Sequence, residues 1–337
     1  MARWGIIVLL AILIPTAGCT QNMEKKAMPR NSEQIMLYGA GRFVIDIPNS
    51  MRFSGGYSMR NRNLKEVVWS EGDPQKASKT SWEERLTEIQ QMKPPEGKEK
   101  ALIEVRDFDG IGKWAKAAFY YGDPNSTEFE GIPLKGYLDI LRHTGSCDLW
   151  ITSFGKVTGK DFMYNKSIEL ARAYRPPTQP NRRAEVIPGK DAFYLRYGAI
   201  DLPFEYEESV DIAFKGHPLD DELIITVETD VVEEVYKVGL QDRLVEMLAS
   251  VAGMGFKAEK FRTRKRTVAG LKGEEVVYRG KEEDGEQALY FMWDFPGEKN
   301  SAHAPNMIIT MMGRAGHLDE KLAIWDAVLD SVRPAGR

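Results

Sequence analysis

Apolar residues recur along this chain at two periods, and the order of those periods is repeated. GRFVIDIP, from Gly41 to Pro48, sets Phe43, Ile45 and Ile47 on alternate positions. That is the period of a strand with one apolar face. A second strand is expected at Lys65–Ser70. Trp82, Leu86 and Ile89 then return at helical spacing; Ser81 and Glu84 form a capping box at the expected helix start, and Pro94-Pro95 closes the run. Strands are expected at about Ala101–Phe108 and Lys113–Gly122, followed by the turn cluster Gly122–Ser126.

The next stretch occurs twice. DLWITSFGK runs from Asp148 to Lys156, a helical pattern follows, and Tyr174-Arg175-Pro176 ends it; NMIITMMGR runs from Asn306 to Arg314, with a helical pattern and Val332-Arg333-Pro334 after it. At one constant offset Ile151 matches Ile309, Thr152 matches Thr310, Gly155 matches Gly313, and Tyr120 and Gly122 match Tyr278 and Gly280. The helix Trp82–Ile89 is echoed in the same register by Leu240, Leu244 and Met247. In the second half, Ser209–Phe214 and Glu222–Glu228 alternate as a hairpin pair, and Asp230 is expected to cap a helix through about Val251. Asp284-Gly285 joins two alternating runs as a hairpin, and a last helix from about Leu318 carries Leu322, Trp325, Leu329 and Val332 on one face.

The expected fold class is therefore α+β: two tandem, internally related domains, each an antiparallel sheet with packed helices. The first is expected over 38–176 and the second over 191–337. Between them, 177–190 is rich in proline and polar residues, as semi-rigid linkers are.

Composition changes this picture at the amino terminus. Arg3 precedes an apolar run, Trp4–Ile14, shorter than the roughly 20 residues a spanning helix needs but suited to a signal peptide over 1–18. It ends in Thr16-Ala17-Gly18-Cys19. Small residues ahead of cysteine resemble a lipobox, so lipid attachment at Cys19 is expected, with 19–37 as a tether; the alternative is ordinary cleavage near Ala17 with Cys19 incidental. Thr20, where a sorting aspartate is absent, leans to the outer membrane facing the periplasm. With Cys19 lipidated, Cys147 has no disulfide partner and reads as a small buried hydrophobe. A net charge of -4 lacks the basic stripe of a nucleic-acid binder.

Candidate chemistry is sparse. The chain's four histidines (His143, His217, His303 and His317) stand outside any metal-ligand spacing. There is no nucleophile-elbow motif. Gly155–Asp161 is one residue short of a phosphate loop, and Asp161 stands where a hydroxyl should hold magnesium. No catalytic residue, cofactor, metal or small-molecule substrate is expected. Arg262, Arg264 and Arg266 alternate on one strand face. They either pair with Glu274, Glu275 and Glu282 across neighbouring strands or form one wall of a partner-binding surface. The acidic tip Glu282-Glu283-Asp284 is either a solvated turn or a contact point.

The run RTVAGLKGEEVVYRG from Arg266, the aromatic strand LYFMWDFPGE and then NMIITMMGR resemble the C-terminal domain of the immunity proteins that neutralise lipase effectors of the bacterial type VI secretion system. Gly270, Gly273, Glu274 and Glu275 carry most of the resemblance, supported by Gly41, Arg42, Asp46 and Pro48 in the GRFVIDIP strand. It spans roughly 38–334. It implies two α+β domains that close on a cognate phospholipase effector in the periplasm, the membrane being met only through the N-terminal lipid. It names no inhibitory residue, and the matched positions read as fold signatures. Two other classes stay open: a non-catalytic envelope lipoprotein that binds another secretion or assembly component, and an exported hydrolase with an unconventional site.

Overall fold

The computed structural model describes residues 34–69, 71–122, 134–178, 191–205, 207–235, 239–240, 259–281 and 285–335. Its strands are β1 (Ile35–Ala40), β2 (Phe43–Pro48), β3 (Arg52–Met59), β4 (Arg62–Val68), β5 (Leu102–Phe108), β6 (Trp114–Tyr120), β7 (Lys135–His143), β8 (Cys147–Lys156), β9 (Tyr174–Arg175), β10 (Phe193–Tyr194), β11 (Ala199–Ile200), β12 (Glu208–His217), β13 (Asp220–Asp230), β14 (Glu259–Val268), β15 (Leu271–Lys281), β16 (Gln287–Phe295), β17 (Asn306–Arg314) and β18 (Arg333–Pro334). The helices among the described residues are α1 (Pro74–Gln91), α2 (Lys160–Ala173) and α3 (Leu318–Ser331). Antiparallel strands with a few helices make this an α+β protein, as the sequence pattern implies.

The chain divides into two units. Leu37–Val44, Gly56–Val210 and the end from Pro334 form an amino-terminal unit; Ile45–Gly55 and Asp211–Arg333 form a carboxy-terminal unit. These are not the contiguous halves read from the sequence. Residues 191–210, expected to open the second domain, pack with the first, because β11 pairs with β9 and β10. Arg42 holds them there: its guanidinium grips Glu208 with two nitrogens and donates to the carbonyls of Asp191 and Leu202. Both charged side chains are buried, so each depends on the other for solvation. The GRFVIDIP strand thus owes its arginine to folding. Its Asp46 receives Arg333 at 3.1 Å within the carboxy-terminal unit.

In the amino-terminal unit the strand order is β3-β4-β8-β7-β6-β5. Trp82 and Ile89 of α1 pack on Ala118, Tyr120 and Leu141, with Leu86 and Trp150 alongside. On the opposite face Tyr164 of α2 meets Phe119 at 6.2 Å. Covered on both faces, β7 (KGYLDILRH) loses the polar-apolar alternation that marks a strand in sequence, so it was not anticipated. Nor were β1 and β3; β3 contains Gly55 at a φ of +116°, beyond the ordinary strand range.

Helix α1 begins earlier than the capping box predicts. The Asp73 carboxylate accepts from the backbone of Gln75 at 2.9 Å and Lys76 at 3.2 Å, and Pro74 sits in the first turn. Ser81 and Glu84 are therefore mid-helix. Asp230 is not a helix cap either: it ends β13, paired with Asn306. Most of the helix expected after it lies outside the described residues, as do the signal segment, Cys19, the linker and the tip Glu282–Asp284.

In the carboxy-terminal unit the order is β14-β15-β16-β17-β13-β12. The helix α3 lays Trp325, Val328 and Leu329 on this sheet, with the Trp325 and Phe291 rings 5.8 Å apart. Full burial of such side chains stabilises by about 1.5–3 kcal/mol each. The repeated stretch has the same local form in both places: β8 leads to α2 and β9, and β17 leads to α3 and β18. The buried face of α3 includes Lys321 instead of Leu322, a charge that periodicity did not disclose.

Candidate functional site

Three groups of side chains have the residue types for chemistry, and each is engaged in holding the fold. The first lies where β7 turns into β8. Asp148, fully buried, accepts from Trp69 Nε1 at 2.8 Å and Ser78 Oγ at 2.8 Å, and lies 2.7 Å from His143 Nδ1. Trp114 stacks on the histidine at 5.7 Å. A serine, a histidine and an aspartate are thus together, but in the wrong order for acyl transfer. A nucleophilic serine gives its proton to the histidine while the carboxylate orients the ring. Here the Ser78 hydroxyl donates to the carboxylate and is itself sealed from solvent. The cluster ties α1 to the sheet.

The second group is Glu66, Tyr174 and Cys147. Glu66 accepts from Tyr174 Oη at 2.6 Å and from the backbone of Tyr197 at 2.8 Å and Gly198 at 2.7 Å. Desolvation pushes its pKa up, and these bonds only partly offset it. Cys147 Sγ lies 3.2 Å from the same tyrosine hydroxyl, and burial raises its thiol pKa. A nucleophilic cysteine needs the opposite shift. The sequence reading of Cys147 as a buried small residue agrees with this setting.

The phosphate-loop look-alike is a strand-to-helix turn. Its Lys160 is held by Glu104 at 2.7 Å, and Gly155 packs against Met163. His217 Nδ1 accepts from the Leu219 backbone at 3.1 Å inside a hairpin turn. Among the described residues no cluster of potential ligands has the form of a metal site.

The third group contains the arginines singled out in sequence. Arg262, Arg264 and Arg266 on β14 converge on Glu275 of β15, which is fully buried. Arg262 reaches it at 3.0 Å and Arg264 at 2.6 Å; Trp325 Nε1 adds a bond at 3.0 Å. Asp326 of α3 receives Arg262 at 2.8 Å and Arg266 at 2.6 Å, and Asp330 receives Arg266 at 2.6 Å. Of the acids expected, Glu275 takes part and Glu282 lies outside the described residues. Glu274 falls on the other strand face, and α3 supplies the rest. Burial alone pushes the Glu275 carboxyl up, but its bonds to Arg264 and Arg262 outweigh this and hold it below the ordinary carboxylate range. Arg262 and Arg266 are largely covered, and Arg264 keeps about half its side chain in solvent (46%).

Gly270 and Gly273 serve the same region. Gly270 takes a positive φ of 86° in the β14–β15 turn, and a side chain on Gly273 would meet the Trp293 ring at 2.6 Å. That indole donates to the Arg266 carbonyl at 3.0 Å.

Among the described residues, one row that sequence reading did not assemble runs from the interior to the surface. Tyr120, Tyr137 and Phe154 stand opposite one another on β6, β7 and β8. The Tyr120 and Tyr137 rings stack at 5.7 Å, Tyr137 meets Phe154 at 6.1 Å, and Phe154 is 64% exposed. Arg85 anchors the buried end, donating to Asp139 and to Tyr120 Oη, each at 2.8 Å. The carboxy-terminal unit has the corresponding row, Tyr278, Tyr290 and Met312 on β15, β16 and β17, with the two tyrosine rings 4.8 Å apart and Met312 exposed. The repeat of Tyr120-x-Gly122 at Tyr278-x-Gly280 was the available signal. Its meaning needed the strand register, which brings in Tyr137 and Tyr290.

Residues 187–335 match a family described as the Tle cognate immunity protein 4 C-terminal domain. Comparison with curated protein sequences finds no match. Among solved structures, the apo immunity protein TplEi of the T6SS from Pseudomonas aeruginosa is similar with a TM-score of 0.70 at 18% identity, over 91% of this chain and 99% of that one. A chain in the crystal structure of a Tle4–Tli4 complex is similar with a TM-score of 0.69 at 18% identity, over 90% of this chain and 98% of that one. TplEi bound to an "L" peptide gives 0.64 at 18% identity, over 91% and 100%. At such identity the likeness establishes the fold.

Proposed function

We propose, from the match of residues 187–335 to the Tle cognate immunity protein 4 C-terminal domain family, that this chain is an immunity protein. It binds a cognate type VI secretion phospholipase effector and blocks its activity. The family match carries this reading, and the fold shared with TplEi over nearly the whole of both chains supports it. A binding role also suits the interior: the serine, histidine, cysteine and arginine clusters are all engaged in holding elements together.

The chain acts without catalysis of its own, from the periplasm, tethered to the outer membrane by lipid on Cys19. Both units contribute contacts to the effector, whose membrane-facing movement they restrain. The sequence resemblance supports these points, and the export signal supports the location. Of the residues singled out in sequence, Arg264 is the arginine with surface to offer a partner; Glu282, Glu283 and Asp284 are kept as candidate contacts.

The test is calorimetric titration of residues 20–337 into the purified lipase effector of the same strain, with phospholipid release assayed alongside. Saturable one-to-one binding that abolishes release is expected. Full hydrolysis at saturating immunity protein would reject the reading. For the tether, Cys19→Ser should move the protein from the membrane fraction to the soluble one.

A further inference from the structure

The exposed end of the aromatic row carries charge that no acid among the described residues balances. Lys135 and Lys156 are direct cross-strand partners on β7 and β8, two register steps beyond Tyr137 and Phe154. Alternation puts Lys135, Tyr137, Phe154 and Lys156 on one face of the sheet. Like charges directly opposite each other destabilise a strand pair. Both lysines are exposed, and neither has an acidic partner among the described residues, although Lys160 nearby is held by Glu104.

The corresponding position in the other unit shows what an internal solution looks like. Arg314 stands in the place of Lys156, beside Met312 in the place of Phe154. It is neutralised by Asp221 and Glu222, each at 3.0 Å. Among the described residues, the amino-terminal unit keeps the cations and sets no acid against them.

The row is also built to stay in place. A side chain on Gly122 would run into the Tyr137 ring at 2.6 Å, so the glycine lets that ring lie over the strand end. Tyr137 in turn stacks on Tyr120 and meets the tilted Phe154 ring on its other side. A rigid aromatic side chain beside two unbalanced cations fits an anchor that needs little ordering when a partner arrives.

We propose that Phe154, Tyr137, Lys135 and Lys156 form a docking point for an acidic segment of the effector that also carries an apolar side chain. The apolar group packs on Phe154 and Tyr137, and its neighbouring carboxylates neutralise the lysine pair. The charge complementarity selects the occupant, and the inference rests on the immunity reading above.

The experiment compares the full chain with Lys135→Glu/Lys156→Glu, with Phe154→Ser, and with Met312→Ser as the counterpart control, all titrated against the purified lipase effector of the same strain. The three altered side chains of the docking point are solvent-exposed, so thermal unfolding should stay near that of the parent and identify any variant that fails to fold. The double charge reversal should slow association about tenfold or more and flatten its dependence on salt. Phe154→Ser should weaken binding at least about fivefold, chiefly through faster dissociation, and Met312→Ser less. Parent-like affinity for both altered docking variants overturns the inference while leaving the immunity reading intact. If the parent itself does not bind the effector, both fall. Vesicles of anionic phospholipid supply the remaining arm: partitioning that depends on the lysine pair while effector binding does not would assign the patch to a lipid surface, and would likewise overturn it.

Discussion

The ring of Tyr137 occupies the space that a side chain on Gly122 would need: a methyl there would sit 2.6–2.8 Å from the Tyr137 ring atoms. Gly280 stands in the same relation to Tyr290, with the nearest ring atom at 3.1 Å. The matched glycines of the two units thus seat matched tyrosines. Neither glycine has a positive φ, so space alone is at stake. Gly122→Ala should cost about 1–3 kcal/mol, the usual range for an overpacked site, and Gly280→Ala less, read as shifts in denaturant midpoint. Equal, negligible shifts would show that the tyrosines yield freely.

The buried arginine network has a pH signature. The carboxyls of Glu275 and Asp326 are held below their ordinary range by arginines that outweigh the effect of burial. A depressed folded pKa gives stability that is present above the unfolded value of about 4.3 and is lost as pH falls through the folded one. Glu275→Gln should therefore be destabilised by about 3 kcal/mol at pH 7. That gap should narrow steadily below about pH 4. A gap that widens with acid would contradict the assignment.

Glu66 behaves in the opposite sense, since desolvation raises its pKa. A raised folded pKa contributes stability below the unfolded value and loses it as pH rises through the folded one. The parent should gain on Glu66→Gln as pH is lowered from 7 towards 4, measured by urea unfolding at each pH. An unchanged difference would indicate that the carboxyl is solvated in the fold.

Lys321 is fully buried on α3, where its Nζ meets Asp220 Oδ2 and the Arg314 carbonyl, each at 2.5 Å. Gly313 lets the pair meet, because a side chain there would press on Asp220, Leu223 and Lys321. Lys321→Met leaves Asp220 without its counter-charge and should cost about 3–5 kcal/mol. Adding Asp220→Asn should recover part of that loss. A double variant as unstable as the sum of the singles would mean that the two residues act independently.

Arg42→Lys keeps the charge but loses the two-nitrogen grip on Glu208. A loss of about 1.5–3 kcal/mol is expected, the scale of a hydrogen bond to a charged group. Limited proteolysis near 191–205 should also speed up, since Arg42 holds the carbonyls of Asp191 and Leu202. Unaltered cleavage there would separate the arginine from the path of that segment.

Much of the fold was legible where one face is wet. The β12–β13 hairpin and β17 read directly, because alternation survives when only one side is buried, while GRFVIDIP reads as a strand although Val44 is as buried as Phe43 and Ile45. Alternation failed at β7, covered on both sides, and at β3 with its paired glycines. The candidate site was legible only in fragments. Tyr120 and Gly122 were visible as an echo, but Tyr137 and Phe154 join them through strand register.

By itself the sequence determined the element types, the repeated motifs and the α+β class, all of which follow from spacing within a few residues. Only the tertiary structure decided which charges meet. Arg42 finds Glu208, the β14 arginines find Asp326 and Asp330, and Lys321 goes inside to Asp220. A buried charge takes its partner from whatever the packing of distant segments brings within reach, and no local period encodes that approach. The same physics sets Lys135 and Lys156 facing each other with no acid against them among the described residues, a property of register that neither residue shows in the linear chain.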